Sequence, residues 1–172
     1  MINKMILKGA IDGGVENQFL LAQKYYYGIG ERKNLPLAES WYKEAARKGH
    51  TASEFMYAYM LLSGEGGHKD VKKGTKYLKR SAFAGYSNAV LLLARNFYYG
   101  YGVKRNEKKA FKLWLKGAKQ GLAEAEYYLG LCYSKGIYVK SNIRKSKKHL
   151  YNALDSGFEF AKTAINDLAL AM

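Results

Sequence analysis

A handful of residues in this 172-residue chain have types that could do chemistry. Ser40 and Lys43 stand in the Ser-x-x-Lys spacing by which a lysine can activate a serine nucleophile. His50, His68 and His149 could ligate a metal, but they lie far apart and none has a second ligand at metal-binding spacing, so a structural or surface role is expected. Cys132 is the one thiol, with no histidine or basic cluster beside it to lower its pKa, and packing is its expected role. Glu124 and Glu126 are two residues apart, which on a helix turns them to different faces and makes a poor acid/base pair. The glycine pairs lack the spacing of a phosphate loop. The expectation is a non-enzymatic chain with no catalytic residue, no metal and no cofactor.

What positions these residues is the chain's strongest regularity, an offset of 36 residues. Gly28, Gly64, Gly100 and Gly136 form one column, and Gly49, Gly85, Gly121 and Gly157 a second that Gly13 extends toward the amino terminus. A small residue recurs at Ser53, Ala89, Ala125 and Ala161, and a large apolar one at Leu21, Tyr57, Leu93, Leu129 and Ile165. Constant periods of this length mark repeat architectures. The units run 15–50, 51–86, 87–122 and 123–158, with half units at 1–14 and 159–172, and are expected to form a single domain.

Within a unit the apolar spacing is helical. Ala89, Leu93, Ala94 and Phe97 share one face of a first helix, which Gly100 stops because a left-handed residue past a helix end is least strained as glycine. Gly102 loosens the loop that follows. Ala110, Leu113, Trp114, Gly117 and Ala118 then mark a second helix closed by Gly121. Small residues at 117 and 118, matched at 45, 46, 81 and 82, would let helices approach closely. Ten helices result. Ser40 falls in a column otherwise filled by Lys76, Lys112 and Lys148, so it is expected to face water, and the companion motifs of a Ser-x-x-Lys enzyme are missing.

Composition narrows the class further. Sixteen Tyr, seven Phe and two Trp argue for a folded chain despite a net charge of +15, and a single proline leaves helices uninterrupted. The apolar run Met5-Ile6-Leu7 is too short for a signal-peptide core. No stretch approaches the roughly 18 to 20 apolar residues of a membrane span. One cysteine allows no intramolecular disulfide, and a cytoplasmic location is expected.

The pattern resembles the Sel-1-like repeat family. The resemblance is carried by Leu21, Ala22, Tyr25, Gly28 and Gly30 with Ala38, Trp41, Tyr42, Ala45, Ala46 and Gly49, and again by Leu93, Ala94, Phe97, Gly100 and Gly102 with Ala110, Trp114, Ala118 and Gly121. Leu129, Gly130, Tyr133 and Gly136 supply the family's Leu-Gly pair outright. Two departures stand out. Tyr138 replaces the second glycine of its unit, which predicts a different loop path, and Gly74 stands where other units have alanine, which lowers helix propensity by about 1 kcal/mol. The paired cysteines of the family's disulfide-bearing branch are absent. The resemblance implies an all-α fold, an α/α solenoid wound as a right-handed superhelix, with first helices on its concave side and second helices outside. It also implies a non-catalytic scaffold for protein–protein interaction.

Superposing the units on tetratricopeptide units places the second, fifth, ninth, twelfth and thirteenth positions in the concave groove. That set comprises Phe19, Gln23, Tyr26 and Tyr27; Phe55, Tyr59 and Leu62; Asn88, Leu91, Arg95, Tyr98 and Tyr99; and Glu124, Tyr127 and Leu131. Arg95 is its central cation, suited to a partner's carboxylate or carbonyl. The alternative for Tyr26 and Tyr98 is packing between units. Charge separates along the repeat: the first fourteen positions of each unit plus 159–172 sum to −2, leaving +17 elsewhere. The predicted basic outer face comprises Lys104, Arg105, Lys108, Lys109, Lys112 and Lys116, repeated one unit on by Lys140, Arg144, Lys145, Lys147 and Lys148. The expected partner of the groove is a protein or peptide, acidic if it meets the basic face, held by a monomer. A soluble antidote to a toxin or effector is a variant of this reading, and a module on nucleic acid or an anionic membrane is the alternative.

Overall fold

The computed structural model describes residues 4–170. Among the described residues it holds ten α-helices and no strand: α1 (Lys4–Ile11), α2 (Val15–Tyr27), α3 (Leu35–Arg47), α4 (Thr51–Ser63), α5 (Val71–Phe83), α6 (Ser87–Tyr99), α7 (Glu107–Lys119), α8 (Ala123–Lys135), α9 (Ile143–Asp155) and α10 (Phe160–Leu170). The helical spacing of the sequence is therefore realised throughout. Two compact units are distinguished, one up to Ala89 and one from Val90 onward.

Each helix pair is punctuated the same way. The first helix stops at a glycine with positive φ, as at Gly28 (73°), Gly64 (85°) and Gly136 (69°). The second helix starts at Asn34, Asp70, Asn106 or Asn142, whose side-chain oxygen accepts the amide three residues on, at 2.9 to 3.0 Å. These residues are themselves 36 apart. Their own amides donate back to Tyr25, Leu61, Phe97 and Tyr133 near the end of the preceding helix, so one residue both caps a helix and closes the loop before it.

In the first unit the core is built from Ala22, Ala38, Tyr42, Ala46, Tyr57, Met60 and Leu61, with Phe19, Tyr26, Trp41 and Tyr77 packed against it. α4 and α5 approach so closely that a Cβ on Gly74 would lie 2.9 Å from Leu62 Cγ and 3.1 Å from the Ala58 carbonyl oxygen. Gly74, read above as a loss of helix propensity, is thus the residue that permits this contact. Leu62, expected in the groove, is buried. Its place is in that same close contact, which leaves it no path outward.

In the second unit, Leu150, Ala153, Ala161, Ala164 and Leu168 form a core against which Tyr127, Leu131 and Phe158 pack. Trp114 is buried and stacks on Tyr128. The loop expected to diverge at Tyr138 does not. Tyr138 has φ 62°, in the left-handed region that Gly30 (77°) and Gly102 (67°) occupy at the same place in their repeats. The cost of that conformation, about 1–2 kcal/mol for a residue with a Cβ, is offset by packing of its ring 5.6 Å from Phe111.

Candidate interaction surface

The residues that could do chemistry are dispersed by the fold. Ser40 and His68 are exposed. His50 is the N-cap of α4, its Nδ1 accepting from the Ser53 amide at 3.2 Å. His149 Nδ1 lies 2.6 Å from Glu126 Oε2 and its ring stacks on Tyr133, while Glu124 turns instead toward Arg95. Cys132 is 1% exposed, and burial pushes its thiol up to about 12, which keeps it protonated and unreactive. No cluster of three or more potential metal ligands occurs among the described residues. No helix among them is long and apolar enough to cross a membrane.

The first-helix residues separate into those that support the core and those that face outward. In the first unit, Phe19 lies 4.6 Å from the His50 ring and 6.1 Å from Tyr42. Tyr26 leans on Tyr42 at 6.3 Å and donates its hydroxyl to Glu65 Oε2 at 2.8 Å. Burial and the neighbouring carboxylate both raise that phenol's pKa, burial the more. Gln23 and Phe55 are half-buried, Phe55 resting 5.3 Å from Tyr86. Tyr27 and Tyr59 are 60% and 37% exposed, and they present their rings to solvent.

In the second unit the counterpart is sharper. Tyr98 packs 5.5 Å from Trp114, and Tyr99 stands edge-on to it, 67% exposed. Arg95 Nη1 is 3.6 Å from Glu124 Oε1, a buried oxygen with no hydrogen-bond donor, so the central cation of the predicted groove is already matched by a carboxylate. Leu91, Tyr127 and Leu131 are half-buried. A recess of about 150 Å³ opens beside Tyr98, Tyr99, Trp114, Tyr128, Leu131 and Lys135, and a wider one of about 380 Å³ beside Tyr127, Leu131, Lys135, Phe160, Asp167 and Leu168. Trp114, Tyr128 and Lys135 were missed by the positional reading. Trp114 sits on a second helix and Tyr128 falls between the five groove positions, whereas Lys135 occupies the thirteenth position of its unit, that of Tyr27 and Tyr99, and is absent from the residues named for the groove. The signal for Lys135 was that repeat position, and for Tyr128 the adjacent aromatic pair Tyr127-Tyr128.

The predicted basic face divides in a similar way. Lys104, Lys108, Lys112, Lys140, Arg144 and Lys148 are exposed. Arg105, Lys109 and Lys145 are exposed as well, but Arg105 covers the Tyr98 ring at 5.9 Å and pairs with Glu107, while Lys109 covers Phe97 and Lys145 covers Tyr133, each at 5.2 Å. Lys116 and Lys147 are half-buried. Cations over aromatic faces are held by the ring quadrupole, so these three side chains are structural as well as charged.

Helix pairs capped alike every 36 residues, with buried small-residue columns, define an α/α solenoid repeat protein. The Sel1 repeat model matches residues 18–50, 51–86, 87–122 and 123–158, and the chain belongs to the Sel1 repeat family. Members of that family generally act as non-catalytic scaffolds for protein–protein interaction. Among solved structures, a protective antigen present in uropathogenic Escherichia coli strains and displaying an SLR fold is 24% identical, with a TM-score of 0.88 over 94% of this chain and 35% of its own. A Sel1 repeat protein from Oxalobacter formigenes is 28% identical, with a TM-score of 0.83 over 91% of this chain and 62% of its own. The chain thus spans about a third of the length of the first and under two thirds of the second. No curated protein matches the sequence.

Proposed function

We propose that this chain is a non-catalytic scaffold that holds a peptide or partner domain against the aromatic faces of its first helices, as a cytoplasmic monomer. The observation that carries the reading is the exposure of Tyr27, Tyr59 and Tyr99 at 60%, 37% and 67% beside other tyrosines already committed to the core. Tyrosine gives a large contact area and a polar hydroxyl at small entropic cost, the balance that recognition surfaces use. Of the remaining residues of the proposed surface, Phe19, Gln23, Tyr26 and Phe55 belong to the first unit and Leu91, Arg95, Tyr98, Tyr127 and Leu131 to the second.

The test compares Tyr99→Ala and Tyr59→Ala with the parent chain for thermal melting and for recovery of a cross-linked partner from lysate. A groove role predicts binding losses of about 2 kcal/mol or more with melting little changed. Unchanged recovery with both variants would move recognition off this face. In the narrower antidote form of the reading, the captured partner is a toxin or effector, and co-expression must abolish its activity.

The exposed lysines favour a second reading, in which the basic face meets an acidic partner, a nucleic acid or an anionic membrane. That reading requires affinity to fall steeply between low and physiological salt, since exposed charges are screened over about 8 Å at 0.15 M.

A further inference from the structure

The two recesses of the second unit share Leu131 and Lys135. The smaller, at about 150 Å³, is below the roughly 300 Å³ at which small-molecule pockets begin, and matches a single side chain instead. It is lined by the rings of Tyr98, Tyr99, Trp114 and Tyr128 together with Leu131, Cys132 and Ile137, and Lys135 is the charged residue among the described residues that line it. Arg95 is engaged by Glu124, and Arg105 by Glu107, so Lys135 is the cation this recess offers a ligand. The larger recess has Lys135 on α8 and Asp167 on α10, with Tyr127, Phe160 and Leu168 between. A carboxylate there would meet Asp167, so an acidic group belongs on the α6 side of Lys135.

We propose that Lys135 and the recesses beside it read a short partner segment in which an acidic residue is flanked by two apolar side chains. One apolar side chain fills the aromatic recess, the carboxylate meets Lys135, and the second apolar side chain lies against Tyr127, Phe160 and Leu168. Lys135 disfavours a basic segment at the aromatic recess, although the rings alone would suit a cation. This deepens the scaffold reading and rests on it, naming the chemistry of the partner segment and the unit that holds it.

The experiment selects a phage-displayed library of random dodecapeptides against the full chain, repeats the selection against Lys135→Glu, and follows the two indole N–H signals by nuclear magnetic resonance as selected peptides are added. Lys135 is an exposed residue in the last turn of α8, so the variant should keep the parent's helical dichroism. The expected result is enrichment of acidic residues next to apolar ones, an affinity loss of about tenfold or more in Lys135→Glu, and a basic preference in the variant's own selection. The Trp114 signal should shift while that of Trp41 in the first unit stays in place. Peptides that bind but ignore Lys135→Glu, or that shift Trp41 alone, overturn this inference and leave the scaffold reading standing. A selection that enriches no peptide overturns both.

Discussion

The indole of Trp114 and the phenol of Tyr128 lie face to face, their centroids 4.7 Å apart and their planes 6° from parallel. This stack joins α7 to α8, with Tyr98 of α6 closing on the same indole at 5.5 Å. Trp114→Ala removes a side chain that is 1% exposed, and its cost should be about 3–5 kcal/mol in urea unfolding of the full chain. A loss below about 1 kcal/mol would mean that these rings do not hold the helices together.

Gly74→Ala offers a test with opposite signs. Helix propensity alone predicts a gain of about 1 kcal/mol. The added Cβ, however, would sit 2.9 Å from Leu62 Cγ and 3.2 Å from Leu61 Cβ, and overpacking a core typically costs about 1–3 kcal/mol. Because Leu62 and Leu61 are themselves buried, neither has open space to retreat into. The expected net outcome is destabilisation, read as a lower melting temperature. A raised melting temperature would show that α4 and α5 can part without penalty.

The repeated caps predict matched losses. Asn106→Ala and Asn142→Ala each remove a side-chain acceptor for a helix amide and should each cost about 1 kcal/mol, with aspartate at either site retaining most of the stability. Equal behaviour of alanine and aspartate would argue that the caps contribute nothing.

Glu54 gives a pH dependence with a defined sign. Its carboxylate is 5% exposed and 2.6 Å from Arg80 Nη2. Burial raises its pKa above the ordinary 4.5 more strongly than Arg80 lowers it. The folded chain therefore binds this proton more tightly than the unfolded chain, and Glu54's contribution to stability is greatest below 4.5 and declines as pH rises through the raised value. Glu54→Gln abolishes the titration while keeping an acceptor for Arg80. Unfolding free energies measured at a series of pH values should shift in favour of Gln across that window. A shift in favour of the parent would reverse the assigned direction.

The regularities that the sequence carries are those whose signal is local. A glycine past a helix end and an apolar face at helical spacing act within a few residues, so Gly28, Gly64, Gly100 and Gly136 announced the four repeats without any knowledge of packing. Even here one local signal was overlooked: Asn34, Asp70, Asn106 and Asn142 form a column as regular as the glycines, and their capping role follows from residue type and place.

Tertiary structure alone decided matters that depend on which residues of different helices meet. Gly74 reads as a weak helix former until α4 is set against it, and Tyr138 reads as a broken pattern until Phe111 is beside its ring. Tyr98 and Tyr99 are adjacent and identical in the sequence, yet one lies against Trp114 and the other is 67% exposed. The pairing of Arg95 on α6 with Glu124 on α8, and the meeting of Trp114 on α7 with Tyr128 and Lys135 on α8 at one recess, join residues across helices. A repeat period fixes where each helix begins and which face is apolar. How deeply a side chain is covered depends on the volumes of the neighbours packed over it, and those neighbours are chosen only when the helices assemble.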